Sequence, residues 1–564
     1  MIGLISATAA GAAARDRLAA AWPDRTRVYE GPVGDAVRAA FAECEQLVCF
    51  LATGAVVRLV APLLGDKTSD PGVVCVDEGG RFAVSLVGGH GGGANELASE
   101  VGELLGAQPV VTTATDAVGV PGLDTLGFPV EGDVAGVSRA VLDGEPVALK
   151  ADFAWPLPAL RVTANGSYAI RLTDRLVEPA GHEVVLRPPS LVVGVGASKG
   201  APADEVLELV EAALRDAGLS ARSIAELATV DAKAEEAGIV EAAERLGVPL
   251  VTYSAQELAA VDVPNPSQAP LAAVGTPSVA EAAALVGGGE LLVPKRKSAA
   301  NPAMATCAVV RRPARGRLAV VGLGPGARDL LTPRAKAELR RASVLVGLDQ
   351  YVDQIRDLLR PGTRVLESGL GAEEERARTA VEEARKGRAV ALIGSGDAGV
   401  YAMASPALAE ASDDIDVIGV PGVTAALAAA AVLGAPLGHD HASISLSDLH
   451  TPWEVIERRV RAAAEADIVV TFYNPRSRGR DWQLPKALAI LAEHREPTTP
   501  VGVVRNASRP DESGRLTTLA ALDPATVDMM TVVTVGNTAT RDIAGRMVTP
   551  RGYRWQESTQ EEPK

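Results

Sequence analysis

The chain has 564 residues, of which 47% are hydrophobic and only 3% aromatic, and its formal net charge is −16. Taking about 100–200 residues per domain, this length holds about three to five domains. The acidity argues against a general nucleic-acid or anionic-membrane partner, and the shortage of aromatics argues against a base-stacking platform. Residues 1–11 (MIGLISATAAG) have no basic segment before their apolar run, so they read as a first strand and not as a signal peptide. No apolar run approaches the ~18 residues of a membrane-spanning helix, and the expected compartment is the cytoplasm. The four cysteines, Cys44, Cys49, Cys75 and Cys307, form no Cys-x-x-Cys pair and read as buried free thiols.

Short β-branched runs alternate with Ala/Glu/Arg-rich stretches almost throughout, which is the pattern of an α/β multidomain chain with largely parallel sheets. The expected strands include 47–51, 73–76, 82–87, 191–195, 319–321, 389–393 and 468–472; the expected helices include 95–105, 203–217 and 279–285. Three breaks interrupt the pattern: 152–187, bounded by Trp155-Pro156-Leu157-Pro158 and Pro188-Pro189; the Pro/Asn/Ser-rich 263–270, a surface loop; and the charged linker 311–317. The expected division is 1–135, 136–189 and 190–310, a linker 311–316, then 317–437 and 438–550, with a polar tail to 564. No internal repeat is present.

In the N-terminal half, Ala52-Thr53-Gly54-Ala55-Val56-Val57-Arg58 reads as a strand end, a glycine turn and a helix. A polar loop, Asp66-Lys67-Thr68-Ser69-Asp70-Pro71, follows. The next strands end in Asp77-Glu78-Gly79-Gly80 and in Gly88-Gly89-His90-Gly91-Gly92-Gly93, with Asn95 expected to cap the helix behind. A histidine among five glycines is poorly placed for a core, so it is either a general base working near neutral pH or part of a surface loop. Further on come Leu191-Val192-Val193-Gly194-Val195-Gly196, Thr229-Val230-Asp231-Ala232-Lys233 and Gly275-Thr276-Pro277-Ser278-Val279-Ala280-Glu281.

These segments resemble the cobalt-precorrin-5A hydrolase family over residues 1 to about 310. The resemblance implies hydrolase-like cobalamin-synthesis domains that open a corrinoid lactone and release acetaldehyde. The chain departs from the family at Ala197-Ser198-Lys199, where members carry a basic pair, and this leaves Lys199 alone to meet a substrate carboxylate. A non-catalytic corrinoid-binding role for this half is the alternative. Lactone opening needs an activated water and a held oxyanion. His90, Asp77 and Glu78 are the candidate bases, the 88–93 amides the candidate oxyanion donors, and Lys67, Lys295, Arg296 and Lys297 candidate carboxylate ligands. Metal ligation by His90 and Asp77 lacks clustered ligand spacing, so no metal site is expected.

The C-terminal half opens with a strand running into Gly322-Leu323-Gly324-Pro325-Gly326-Ala327, which formally satisfies a dinucleotide fingerprint and so suggests an NAD(P)-linked oxidoreductase. Pro325 has no N–H for a pyrophosphate, and the next helix is expected only at Thr332 (N-cap) and Pro333. Three more loops follow strand ends: Gly394-Ser395-Gly396-Asp397-Ala398-Gly399-Val400-Tyr401, then Val420-Pro421-Gly422-Val423-Thr424, then Phe472-Tyr473-Asn474-Pro475. That edge is where α/β sheets bind ligands.

The series resembles the two-subdomain tetrapyrrole methyltransferases over residues 317–550, including the late Met529-Met530-Thr531 strand. Ser443–Ser447 with Asp448-Leu449, Thr451-Pro452-Trp453-Glu454, Tyr473–Ser477 and Val503–Ala507 resemble the branch that methylates carbon 17 of precorrin-3B or cobalt-factor III with ring contraction. The resemblance implies S-adenosylmethionine at Gly324, Pro325, Gly326, Gly396, Asp397, Val400, Tyr401, Leu446, Tyr473, Asn474, Met530 and Thr531. It also implies a tetrapyrrole substrate, with cobalt present only as part of that substrate, and a homodimer. Asp397 is a candidate acid/base as well as a turn-capping residue. A macrocycle bearing many carboxylates needs local cations, for which Arg476, Arg478, Arg480, Arg505 and Arg509 are available.

Overall fold

The β-branched runs form strands, the central ones buried on both faces. The computed structural model describes residues 1–66, 69–89, 91–113, 119–267 and 275–552. Lys67, His90, part of the expected 263–270 loop and the expected tail therefore lie outside the described residues. The chain divides into two units: Met1–Trp155, Leu160–Ala314 and Arg360–Gly362 form one, and Pro156–Ala159, Arg315–Leu359 and Thr363–Lys564 the other.

The first unit begins with β1 (Ile2–Ser6), β2 (Thr26–Val28), β3 (Gln46–Phe50), β4 (Gly72–Val76), β5 (Phe82–Val87) and β6 (Gln108–Val110). They lie in the order β2-β1-β3-β4-β5-β6 and are parallel except where β4 meets β5. All four cysteines are free and buried; burial pushes the Cys49 and Cys307 thiols up to about 12, which leaves them inert. The helix Ala94–Leu105 is capped by Gly93 in the left-handed region, not by Asn95. Asn95 is drawn inward instead, where it accepts from Ser85 Oγ at 2.7 Å and donates to Thr113 Oγ1 at 3.0 Å.

The break expected at 152–187 carries the last two strands, in chain order, of a four-stranded sheet. β7 (Val130–Gly132), β8 (Val147–Ala151), β9 (Tyr168–Leu172) and β10 (Glu183–Leu186) pair in the order β7-β10-β9-β8. The expected boundary at 135/136 falls inside the helix Val134–Asp143, whose first turn is capped by the Asp133 side chain accepting from Gly136 N. A third sheet orders β11 (Leu191–Ala197), β12 (Ile224–Val230), β13 (Leu250–Tyr253), β14 (Glu290–Lys297) and β15 (Ala305–Arg311) as β13-β12-β11-β15-β14. The helices Ala203–Asp216 and Ala237–Leu246 bury Val206, Val210 and Ile239 against it.

In the second unit, β16 (Arg317–Gly322), β17 (Val344–Leu348), β18 (Arg364–Ser368), β19 (Ala389–Gly394) and β20 (Asp416–Val420) form a fully parallel sheet ordered β18-β17-β19-β16-β20. After a short strand β21 (Gly434–Ala435), a mixed sheet orders β22 (His441–Ser445), β23 (Val469–Tyr473), β24 (Pro500–Arg505), β25 (Ser513–Thr518) and β26 (Thr531–Val535) as β22-β23-β26-β24-β25. The hairpin β27 (Arg541–Ile543) and β28 (Arg546–Val548) pairs with β21. Phe472, Leu446, Leu484 and Leu491 are fully buried in the core of the mixed sheet, each side chain contributing about 1.5–3 kcal/mol by removal from water.

Candidate cofactor and substrate sites

Three glycine loops leave the same edge of the parallel sheet and lock together through backbone. Gly324 and Gly396 exchange amide–carbonyl bonds of 3.0 and 2.8 Å, and Leu323 N donates to Gly394 O at 2.9 Å. Asp397 fastens the third loop: its carboxylate accepts from Gly399 N at 2.8 Å and from Gly422 N at 3.0 Å. Each of its oxygens thereby accepts one amide, which is the turn-capping arrangement. A Cβ on Gly422 would lie 2.1 Å from Gly396 O, so only glycine allows this approach.

The mixed sheet meets these loops from its own strand ends. The Tyr473 phenol bonds Thr424 Oγ1 at 2.5 Å and accepts from Ala426 N at 2.9 Å. It thereby caps the helix Ala425–Leu433, for which the Thr424 side chain provides no cap bond. Tyr401 donates to Ser443 O at 2.7 Å and lies 5.3 Å, centroid to centroid, from Tyr473. Asn474 donates to Ser445 Oγ at 3.1 Å, and Ala327 N donates to Ser508 Oγ at 3.2 Å. Among the described residues, Tyr401, Asn474, Asn506 and Ser508 all hold positive φ without being glycine. Such outliers persist where surrounding structure over-determines them and cluster at functional sites. Leu446 contributes only backbone here, because its side chain is fully buried and its amide donates to Tyr473 O.

In the first unit Asp77 closes a turn. Burial acts to raise its pKa, but the Phe82 and Arg81 amides and the Arg81 guanidinium outweigh this and hold it below the usual range. Those bonds close the turn between β4 and β5. Glu78 beside it is exposed. Lys199 is exposed past the end of β11, while Lys295 lies on β14 with its amide donating to the fully buried Glu281 carboxylate. Arg296 is paired with Asp216 at 2.8 Å.

Residues 317–523 match the family described as Tetrapyrrole (Corrin/Porphyrin) Methylases. The chain is 47% identical over 239 residues to a probable cobalt-factor III C(17)-methyltransferase of Salmonella typhimurium, covering 42% of this chain and 99% of that protein. The chain belongs to the tetrapyrrole methylases. A precorrin-3B C(17)-methyltransferase of Sinorhizobium sp. is 40% identical over 250 residues, covering 42% of this chain and 97% of that protein. The crystal structure of the methyltransferase CobJ is 41% identical, covers 42% of this chain and all of that one, and gives a TM-score of 0.40. Upstream of the methylase region, residues 35–116 match Cobalamin synthesis G N-terminal and residues 191–310 match Cobalamin synthesis G C-terminus.

The methylase loops suit a ligand without phosphates. Pro325 offers no amide proton, and the next α-helix begins at Pro333, with Thr332 capping Ala335 N, after an intervening turn at Arg328–Leu330. A helix N-terminus therefore does not abut the glycine loop as a pyrophosphate site requires. Tyr401 and Met530 are 53% and 38% exposed, and Asn506, whose backbone amide donates to Met530 O, has its Oδ1 buried without a hydrogen-bond partner among the described residues.

The arginines expected to meet substrate divide sharply. Arg480 donates to Leu446 O and Asn474 O and contacts Met529 Sδ at 3.3 Å, so it is a clamp on the methylase loops. Arg476 donates to Ala525 O, and Arg505 is paired with Asp528 at 2.8 Å and Asp511 at 3.4 Å. Arg478 is exposed. Thr531 is buried, its hydroxyl donating to Asp528. Sequence reasoning missed the bonds of Thr424 and Ser508, because a serine at positive φ carries no signal in the sequence itself.

Proposed function

We propose that the methylase half transfers a methyl group from S-adenosylmethionine to carbon 17 of precorrin-3B or cobalt-factor III, with contraction of the macrocycle. The observation that carries this reading is the three-loop lock organised by Asp397, met from the mixed sheet by Tyr401, Tyr473 and Asn474. The identity over nearly the whole of the two named C(17)-methyltransferases supports the position methylated. S-adenosylmethionine supplies an electrophilic methyl on its sulfonium. The chain's own work is positional: Gly324 and Gly396 present backbone, Met530 and Tyr401 present apolar surface, and Asn506 Oδ1 presents an acceptor. Positioning of this kind lowers the barrier without a protein nucleophile. A homodimer in the cytoplasm is part of the proposal.

Calorimetric titration with S-adenosylhomocysteine, and separately with NAD and NADP, tests the cofactor. Saturable binding of the first alone is expected, followed by a mass gain of one methyl on the corrinoid. Binding of a nicotinamide nucleotide with none of S-adenosylhomocysteine overturns the reading.

For the N-terminal half we propose hydrolysis of the cobalt-precorrin-5A lactone with release of acetaldehyde. The two cobalamin-synthesis-G matches support it. With Asp77 engaged in its turn, His90 and Glu78 are left as the proposed bases, and Lys199, Lys295 and Lys67 as the proposed carboxylate ligands. The test is acetaldehyde release by the full chain given the lactone. A chain that methylates and binds corrinoid but releases none has a non-catalytic N-terminal half.

A further inference from the structure

We propose that Arg509, together with Tyr351 and Ser395, forms the subsite that grips one peripheral carboxylate of the macrocycle; this rests on the tetrapyrrole reading above. Arg509 differs from the other arginines of these loops in how it is held. Its Nε donates to Pro325 O at 3.1 Å, the one side-chain hydrogen bond it makes among the described residues, and its two terminal nitrogens have no partner there. Arg476, Arg480 and Arg505 spend theirs on carbonyls, a sulfur and carboxylates of the chain itself.

The last glycine of the Gly-Pro-Gly loop leaves room for that side chain. Gly326 sits at φ +147°, and a Cβ built there would lie 2.6 Å from Arg509 Cγ and 3.1 Å from its Nε. The segment bearing Arg509 is anchored as well. Ser508 at positive φ accepts from Ala327 N, and the Ser508 amide donates to Glu512. The guanidinium is thus anchored along its stem and free at its fork, the arrangement that bidentate recognition of a carboxylate needs.

Tyr351 follows the end of β17 and packs on the core beneath the loop. The charges of Arg509 and Arg376 and the Ser395 side chain favour the ionised phenol, against its burial, while Glu373 opposes it. Burial raises its pKa, so the phenol stays a proton donor at neutral pH. Arg376 is itself consumed, by Gly369 O, Ser368 Oγ and Glu373, and adds only its field. In a chain of net charge −16, a tethered cation with an unspent fork beside a hydroxyl pair is a local device for an anion.

The experiment uses the full chain, with corrinoid kinetics and S-adenosylhomocysteine calorimetry on the wild type and on Arg509→Gln, Arg509→Lys, Tyr351→Phe and Gly326→Ala. Arg509→Gln is expected to raise KM for the macrocycle about tenfold or more, the effect of losing a charge-assisted bond, while the S-adenosylhomocysteine Kd moves less than about threefold. Arg509→Lys recovers part of the loss, because it restores charge without the fork. Gly326→Ala moves KM in the same direction as Arg509→Gln. An unchanged KM in Arg509→Gln and Arg509→Lys overturns the subsite, as does a loss of S-adenosylhomocysteine affinity equal to the loss in KM. A wild type that neither binds S-adenosylhomocysteine nor methylates corrinoid overturns the underlying function as well.

Discussion

Asp397 accepts the amide of Gly422 at 3.0 Å across two loops that leave different strands, β19 and β20. Its second oxygen holds Gly399 N. The carboxylate is thereby the tie that sets the spacing of the loops proposed to hold the cofactor. In Asp397→Asn one of those two amides must face an NH2 group, a donor against a donor. The S-adenosylhomocysteine affinity should fall about tenfold or more, since bonds to a charged acceptor contribute about 1.5–3 kcal/mol. Calorimetry checks this, and an affinity within about twofold of wild type contradicts the tie.

Tyr473 caps a helix from the opposite sheet. Tyr473→Phe keeps the ring beside Tyr401 but strips Thr424 Oγ1 and Ala426 N of their partner. The expected cost is about 1–3 kcal/mol for groups left unsatisfied, read as a lower denaturation midpoint with an unchanged slope. Tyr401→Phe removes only the bond to Ser443 O and should cost less.

Asp528 predicts a pH dependence. Burial acts to raise its pKa, but Arg505, the Thr531 hydroxyl and the Met530 amide prevail and hold it below its ordinary 3.8. A carboxylate depressed in the folded state stabilises fully above the ordinary value and loses that contribution as pH falls through the depressed one. The stability gap between wild type and Asp528→Asn should therefore stay constant from neutral pH to about 5 and close below 3.8. Denaturation series at each pH measure the gap; a gap that closes already between pH 7 and 5 rules the assignment out.

Asp77 should act on stability and not on lactone chemistry. Asp77→Ala releases the Arg81 and Phe82 amides of the turn between β4 and β5. It should lower the melting temperature by several degrees, since a lost cap of this kind costs about 1 kcal/mol. Acetaldehyde release per folded molecule should be unchanged; a collapse of rate in fully folded protein would return Asp77 to the role of base.

The loops were legible because glycine and proline mark backbone geometry by residue type alone. Gly324, Gly396 and Gly422 read as loop positions from their place after β-branched runs, and the late helix start from Thr332-Pro333. The arginines were not legible. Arg480 and Arg505 look equivalent to Arg509 in sequence, yet the first is spent on Leu446 O and Asn474 O, the second on Asp528, and the third on Pro325 O. A guanidinium's partners are chosen by the fold, 34 residues away for Leu446 and 184 for Pro325, and local pattern holds no record of that choice. Asn95 failed as a cap for a related reason. Asparagine favours caps by type, but Gly93 takes the left-handed position ahead of it and leaves the Asn95 amide to pair inward with Ser85 and Thr113.

By itself the sequence determined the alternation of strands and helices and the order of the binding loops, because periodicity and backbone-special residues are properties of a few neighbouring positions. Only the tertiary structure decided which side chains are spent and which are free. It engaged Asp397 and Asp77 as backbone ties, turned Arg480 into a clamp, brought Tyr473 across to cap a helix, and tethered the Arg509 side chain to Pro325 O. Side-chain hydrogen bonds made by a fold depend on which distant segments meet, and that choice is made only when those segments come together.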